Sequence, residues 1–375
     1  MRKKALLAMA AAVAVILSVA GCNKDKDKDN DTSVDFDRAA MLTNYADNYV
    51  IPAYADMAGK LTTLRTKIDE FAAAPDTTKL IAARTAWKEA YLTWQGVEVL
   101  EFGPEASISL RDFLNIYPVS VTKVNTNITS GSYDLEQFGN KDAQGFPALD
   151  YLLNGLATTN SAIVALYTTD AKATGRKQYL QTVAAKMLAK ITAVKDAWGG
   201  YRGTFIAATS TSVTGSISLM TNAYVLYYER YVRSGKIGLP VGAMTGTAAP
   251  ELTEAYYTPT LSKDLAIAAM NSVAAFYEGI YYNGSNNGMG FKDYLAAIGT
   301  KDDNGTPMAN VIATEMEEVR TALTTIPAPI TTAVTTNRAE VLKLYDQMQQ
   351  VVPLLKVDMV SAFGISITYT DNDGD

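Results

Sequence analysis

The stretch Gly145-Phe146-Pro147-Ala148-Leu149-Asp150-Tyr151-Leu152-Leu153 decides how this chain is read. It follows a polar, glycine-bearing loop at 138–144. Leu149, Leu152 and Leu153 then fall at i, i+3 and i+4, which predicts a short helix with one apolar face. Proline suits the first helical position, where its missing N–H would have had no intrahelical partner. Asp150 has two readings. It is a functional acid, or it is a first-turn carboxylate favoured by the helix dipole by about 0.3 kcal/mol or slightly more.

Upstream, residues 77–102 carry Leu80, Arg84, Trp87, Tyr91, Trp94 and Glu98 at steps of three and four, and Gly103-Pro104 ends the pattern. The aromatic stripe reads as core packing. Glu98 on the same face is harder to place, because a buried carboxylate needs a partner. Before it, 35–74 reads as a helix marked by Tyr45, Tyr49, Tyr54, Leu61, Leu64 and Ile68, with Pro52 expected to kink or break it. Ala73-Ala74-Pro75-Asp76 is a stop followed by a new N-cap. Downstream, helices are expected over 175–198 (ended by Gly199-Gly200), 212–234, 261–281, 307–325 and 337–352, with Pro353 interrupting the last. Residues 235–259 are rich in Gly, Pro, Thr and Ala without periodicity. The expected architecture is all-α, with two helical-bundle domains at 35–240 and 261–375 joined by a linker at 241–260.

Three segments resemble the imelysin-like family. Trp87, an aromatic at 91 and Glu98 before Gly103-Pro104 match its second helix, although Tyr91 stands where relatives often hold Arg. Asn115-Ile116-Tyr117-Pro118 matches an Asn-x-Trp/Tyr-Pro segment, with Ser120 in place of the usual Asp. Gly145 to Asp150 keeps the frame of the family's Gly-x-His-x-x-Glu, with Pro147 for His and Asp150 for Glu. Lys236-Ile237-Gly238-Leu239-Pro240 is similar to the exit of the family's first domain. The resemblance implies two related helical bundles, a peptidase label, and links to iron uptake or acidic-polysaccharide binding. It also implies that Glu98 and Asp150 share a pocket lined by Tyr117 and Asn115.

At the N-terminus, Arg2-Lys3-Lys4 precedes an apolar run from Ala5 to Val19 and then Val19-Ala20-Gly21-Cys22. This reads as an export signal at 1–21 ending in a lipobox, with Cys22 carrying the lipids. Residues 23–31 alternate Asn, Lys and Asp, so 22–34 is expected to be a flexible charged tether. The Cys22 neighbour is not Asp, which points to the outer membrane of a bacterial cell envelope. No later run reaches the ~18 apolar residues of a span.

Composition narrows the chemistry. There is no histidine and a single cysteine, which removes His-based triads, HExxH zinc sites and disulfides. The formal net charge of −6, with no basic patch, argues against nucleic acid. Carboxylates, amide carbonyls and the 22 tyrosines offer oxygen donors suited to hard ions such as iron or calcium. Two readings of different class stand. The first is a monomeric, lipid-anchored, non-enzymatic binding protein for a metal ion, metal complex or acidic glycan, serving iron or nutrient uptake with an envelope partner. The second is a histidine-free peptidase. The binding residues expected are Glu98, Asp150, Tyr117 and Asn115.

Overall fold

The computed structural model describes residues 34–370. The signal segment, Cys22 and most of the tether lie outside the described residues, as does the acidic end at 371–375. Everything regular in the described residues is helical, apart from two isolated bridges, Ile280 with Asn287 and Lys301 with Pro307.

The first long element starts at Asp37, whose carboxylate accepts the Ala40 N–H at 2.8 Å as an N-cap. It runs as Arg38–Asn44, a π-helical stretch Tyr45–Val50, and Ile51–Ala73. Pro52 does not break it. The wider π turn comes just before, so Pro52 falls in the first turn of the following α segment, where its missing N–H costs little. Asp76 then caps Thr77–Val97 by accepting the Lys79 N–H at 2.8 Å.

A second departure concerns Ala173–Ala207, which passes straight through Gly199-Gly200. Both glycines are exposed and open to space, so they cost only about 1 kcal/mol each. The next turns are held by aromatic packing: Trp198 lies edge-on to Tyr201 and Phe205, and Phe205 stacks on Phe102. Pro353 likewise ends one α segment, Arg338–Pro353, and a π segment, Leu354–Met359, carries the helix on.

Ile51–Ala73 packs against both Thr77–Val97 and Ala173–Ala207, while Ser262–Tyr277 packs against Thr77–Val97 and Met308–Thr325. Thr77–Val97 is therefore shared by both sets of helices. The buried apolar residues from Met41 to Ile365 make one cluster. Its tyrosines are not merely wetted at the rim. Tyr45 donates to the Phe276 carbonyl at 2.8 Å, Tyr228 to Met348 at 2.7 Å and Tyr167 to Leu152 at 2.9 Å, all buried. Each phenol thus fills the core and satisfies a carbonyl on a distant segment. The stretch expected as a linker, 241–260, contributes short 3-10 turns, Pro250–Leu252 and Pro259–Leu261, and buries Glu254.

Candidate functional site

Glu98 follows the last residue of Thr77–Val97 as its C-cap, with its N–H on the Trp94 carbonyl at 2.8 Å. Its carboxylate is buried. One oxygen accepts from Arg111 Nε and from Asn115 Nδ2, each at 3.2 Å, and a further Arg111 nitrogen reaches the Glu98 carbonyl at 2.9 Å. The guanidinium lies over the Tyr231 ring at 3.5 Å and also pairs with Glu101. Asn115 bridges onward: its amide donates to Glu254 at 2.8 Å, and its carbonyl accepts the Tyr91 hydroxyl at 2.6 Å. Lys236 donates to Gln95 at 2.7 Å and pairs with Glu254. Burial raises the Glu98 pKa, Lys236 and Arg111 oppose that, Glu254 adds to it, and the Asn115 bond lowers it again. Glu98 and Glu254 are thus answered by Arg111 and Lys236. The other Glu98 oxygen has no hydrogen-bond partner among the described residues.

The motif at Gly145 is built against this cluster. Gly145 has φ +75° and its Cα lies so close to Leu114 that a Cβ would sit 2.3 Å from the Leu114 carbonyl oxygen. Only glycine fits both demands. Gly145–Asp150 is helical and continues as a π segment, Tyr151–Gly155. Pro147 is the third residue of the helix rather than the first, still among the positions whose N–H lacks an intrahelical acceptor. Phe146 ties the motif to the second helix: its ring stacks on Tyr91 at 4.4 Å, and its carbonyl accepts Trp87 Nε1 at 3.1 Å.

Asp150 lines a cavity of about 250 Å³ together with Pro147, Tyr117, Pro118 and Val119 on one side and Glu251, Thr253, Ala255, Tyr256 and Tyr257 on the other. Its two oxygens accept from the Thr258 hydroxyl at 2.6 Å, Asn154 at 3.0 Å and the Tyr257 N–H at 2.9 Å. Burial pushes its pKa up to about 6 despite these hydrogen bonds and the Thr258 N–H, all of which lower it. Ala255 holds φ +55°, a left-handed conformation that strains a residue with a Cβ. The Thr253 hydroxyl is buried without a partner among the described residues. Both features sit in the cavity wall.

The structure therefore brings Glu98 and Asn115 into direct contact and sets Tyr117 beside Asp150 in the cavity. Glu98 and Asn115 do not line that cavity, and Glu98 and Asp150 share no hydrogen-bond partner. The two compartments adjoin through Glu254, whose chain neighbours Thr253 and Ala255 are both cavity residues. Tyr117 lies between them, its phenol pKa raised by burial first and then by Glu254 and Glu98. Sequence reasoning missed Arg111, Gln95, Lys236 and Glu254. Lys236 stands in a segment noted for its likeness, but nothing marked its charge as buried. Glu254 lies in a stretch without periodicity.

A bare iron or calcium ion does not suit these residues. Among the described residues, no group of three or more acidic, His or Cys side chains is placed to hold a metal. Both Asp150 oxygens are taken by N–H and O–H donors, and the Glu98 and Glu254 charges are met by cations.

The imelysin (peptidase M75) family model matches residues 50–355. The chain belongs to the imelysin family. Iron-regulated protein A of Synechococcus elongatus (strain ATCC 33912 / PCC 7942 / FACHB-805) is 29% identical over 119 residues, 30% of this chain and 32% of that protein. The match thus spans about a third of that curated relative's length. An imelysin-like protein from Psychrobacter arcticum 273-4 superposes with a TM-score of 0.66 at 21% identity, covering 88% of this chain and 97% of that one. A Parabacteroides distasonis ATCC 8503 structure, provisionally described as an iron-regulated protein A precursor, gives 0.67 at 18% identity, with 87% and 95% covered. At these identities the likeness carries the all-helical imelysin fold. Among the described residues of this imelysin, no helix is long and apolar enough to cross a membrane.

Proposed function

We propose that this imelysin is a lipid-anchored, non-enzymatic binding protein of the bacterial cell envelope. It takes a small metal complex in the cavity beside Asp150 and serves iron-linked uptake. One observation carries the reading: the two altered positions of the family motif, Pro147 and Asp150, both face a preformed cavity walled by Tyr117, Tyr256 and Tyr257. Aromatic walls with a few fixed polar groups suit a small organic or complexed ligand. Asp150 and Glu251 favour a ligand that is neutral or positive and presents hydrogen-bond donors. The relatives described as iron-regulated supply the link to iron, and the Cys22 lipobox supplies the anchor.

Titration with neutral ferric tris-acetohydroxamate, followed by tryptophan fluorescence, tests this. Saturable binding is expected, weakened about tenfold or more in Asp150→Asn, which removes the negative charge of the cavity and unsettles the wall that Asp150 holds through Tyr257 and Thr258. Free acetohydroxamate, ferric nitrilotriacetate and calcium chloride serve as controls. Binding that is unchanged in Asp150→Asn sinks the proposal. The family's peptidase name favours the other reading. That reading requires cleavage of an unfolded protein such as reduced casein, lost in the same variant.

A further inference from the structure

A further cleft, of about 410 Å³, lies between Thr77–Val97 and Ser262–Tyr277 and is bordered by residues 280–284. This is within the size range of small-molecule sites, roughly 300–1,000 Å³. We propose that it is a second binding site, for a neutral saccharide of one or two rings.

The lining decides the ligand class. It includes Tyr49, Tyr281 and Tyr282, the amides Asn271 and Asn283, and Thr93, and no charged side chain. Arg320, which touches the lining residue Asn271, is already paired with Glu317, so an acidic sugar finds no unspent counter-charge, and a metal ion finds no carboxylate in the lining. Aromatic faces combined with amides and hydroxyls match a neutral ring that is apolar on its faces and hydroxylated at its edge.

The cleft also holds unspent hydrogen-bonding capacity. Tyr49 is 4% exposed and lines the cleft, and its hydroxyl, which is not among the fully buried atoms, is hydrogen-bonded by no described residue. Asn271 accepts from Arg320 Nε at 2.9 Å through its oxygen, which leaves its two N–H groups without a protein acceptor among the described residues.

The walls are fixed in advance. Tyr282 donates its hydroxyl to Asp56 at 2.8 Å and its N–H to Asn48 at 2.8 Å, and its ring meets Tyr49 edge-on at 5.7 Å. Asn283, at φ +52°, donates to the same Asp56 oxygen at 3.2 Å. Gly96 lets the Tyr282 ring settle on the helix, since a Cβ there would lie 3.0 Å from that ring. The loop is pinned by Tyr281 N–H to Asn286 at 2.8 Å and Gly288 N–H to Gly279 at 3.0 Å. Preorganised walls reduce the ordering cost of binding.

The test is saturation-transfer NMR and calorimetry on the whole chain with cellobiose, maltose, lactose and N,N′-diacetylchitobiose, and with digalacturonate as the acidic control. At least one neutral disaccharide should bind at about 1 mM or tighter, and digalacturonate at least ~10-fold more weakly. Tyr49→Phe should weaken binding about 5-fold, as expected for one lost hydrogen bond. Thr93→Trp, at a half-buried position, should fill the cleft and abolish it, and Asp150→Asn should leave it unchanged. Asn271→Leu, which removes the amide without adding bulk, serves if Thr93→Trp does not fold. The proposal fails if none of the neutral disaccharides binds, if digalacturonate binds equally well, or if binding survives the cleft variants.

Discussion

Lys236 and Glu254 form an ion pair in which each side chain is 2% exposed, inside the helical core and 18 residues apart in sequence. The lysine comes from the π segment Tyr227–Gly238, and the glutamate from irregular chain that returns to meet it. Isolated burial of either charge would be costly, so the pair and its amide neighbours Gln95 and Asn115 stand or fall together. Lys236→Met should destabilise the fold by about 3–5 kcal/mol, because it strands a buried carboxylate. Lys236→Met with Glu254→Leu should recover most of the loss. Urea denaturation checks both, and a single variant within 1 kcal/mol of the native protein, or roughly so, would count against a coupled pair.

Asp150 makes stability depend on pH in a stated direction. Its folded pKa of about 6 lies above the ordinary ~3.9 of an aspartate, so the folded chain holds the proton more tightly than the unfolded one. The contribution is fully present below about pH 4 and is lost as pH rises through about 6. Between pH 4 and 7 the native protein should lose roughly 2 kcal/mol more than Asp150→Asn does. Denaturation at stepped pH reads the difference, and parallel curves would remove Asp150 as its cause.

Two glycine substitutions should have opposite signs. Gly145→Ala must place a Cβ against the Leu114 carbonyl at φ +75°, and it should cost about 1–3 kcal/mol from backbone strain alone. Gly199→Ala adds a methyl in open space on an exposed helix, and should stabilise by about 0.4–1 kcal/mol. Thermal melts of the two variants test the packing argument directly.

Pro147→His returns an imidazole to the cavity in a chain that otherwise has none. The imidazole and Glu251 would be the first ligands, and Asp150 would have to exchange its Tyr257 or Thr258 hydrogen bond for the metal, so the variant should bind Zn²⁺ weakly but more tightly than the native chain. Zinc titration by calorimetry decides, and equal zinc binding by both proteins would locate any ion site elsewhere.

Cys22→Ser should leave the precursor unlipidated and move the mature protein from the membrane fraction to the soluble one. Cell fractionation with detection of a C-terminal tag is sufficient. A variant that stays wholly with the membrane means another anchor is present.

Helix positions were legible because long 3.6-residue periodicity survives in Thr77–Val97, Ser262–Tyr277 and Met308–Thr325. Helix ends were less so. Gly199-Gly200 and Pro52 are stops by local propensity, but Trp198 and Phe205 packing overrides the first and a π turn absorbs the second. Asp150 and Tyr117 were legible as cavity residues through the motif frame. The partners of Glu98 were not, because Arg111 and Asn115 lie 13 and 17 residues away and Glu254 reaches Asn115 from 139. A buried polar network is assembled by tertiary approach, and no spacing in one sequence encodes it.

Gln95 touches both compartments at once. Its carbonyl accepts the hydroxyl of Ser272, a cleft residue, at 2.7 Å. Its side chain accepts from Lys236 and donates to Glu254 at 3.3 Å, and Glu254 is flanked by two cavity residues. Any occupant of the cleft that displaces Ser272 would free the backbone carbonyl of the residue whose side chain braces the cavity wall. By thermodynamic reciprocity, each ligand would then alter the affinity for the other by one common factor. If both sites fill, Gln95 would be the junction through which they are coupled.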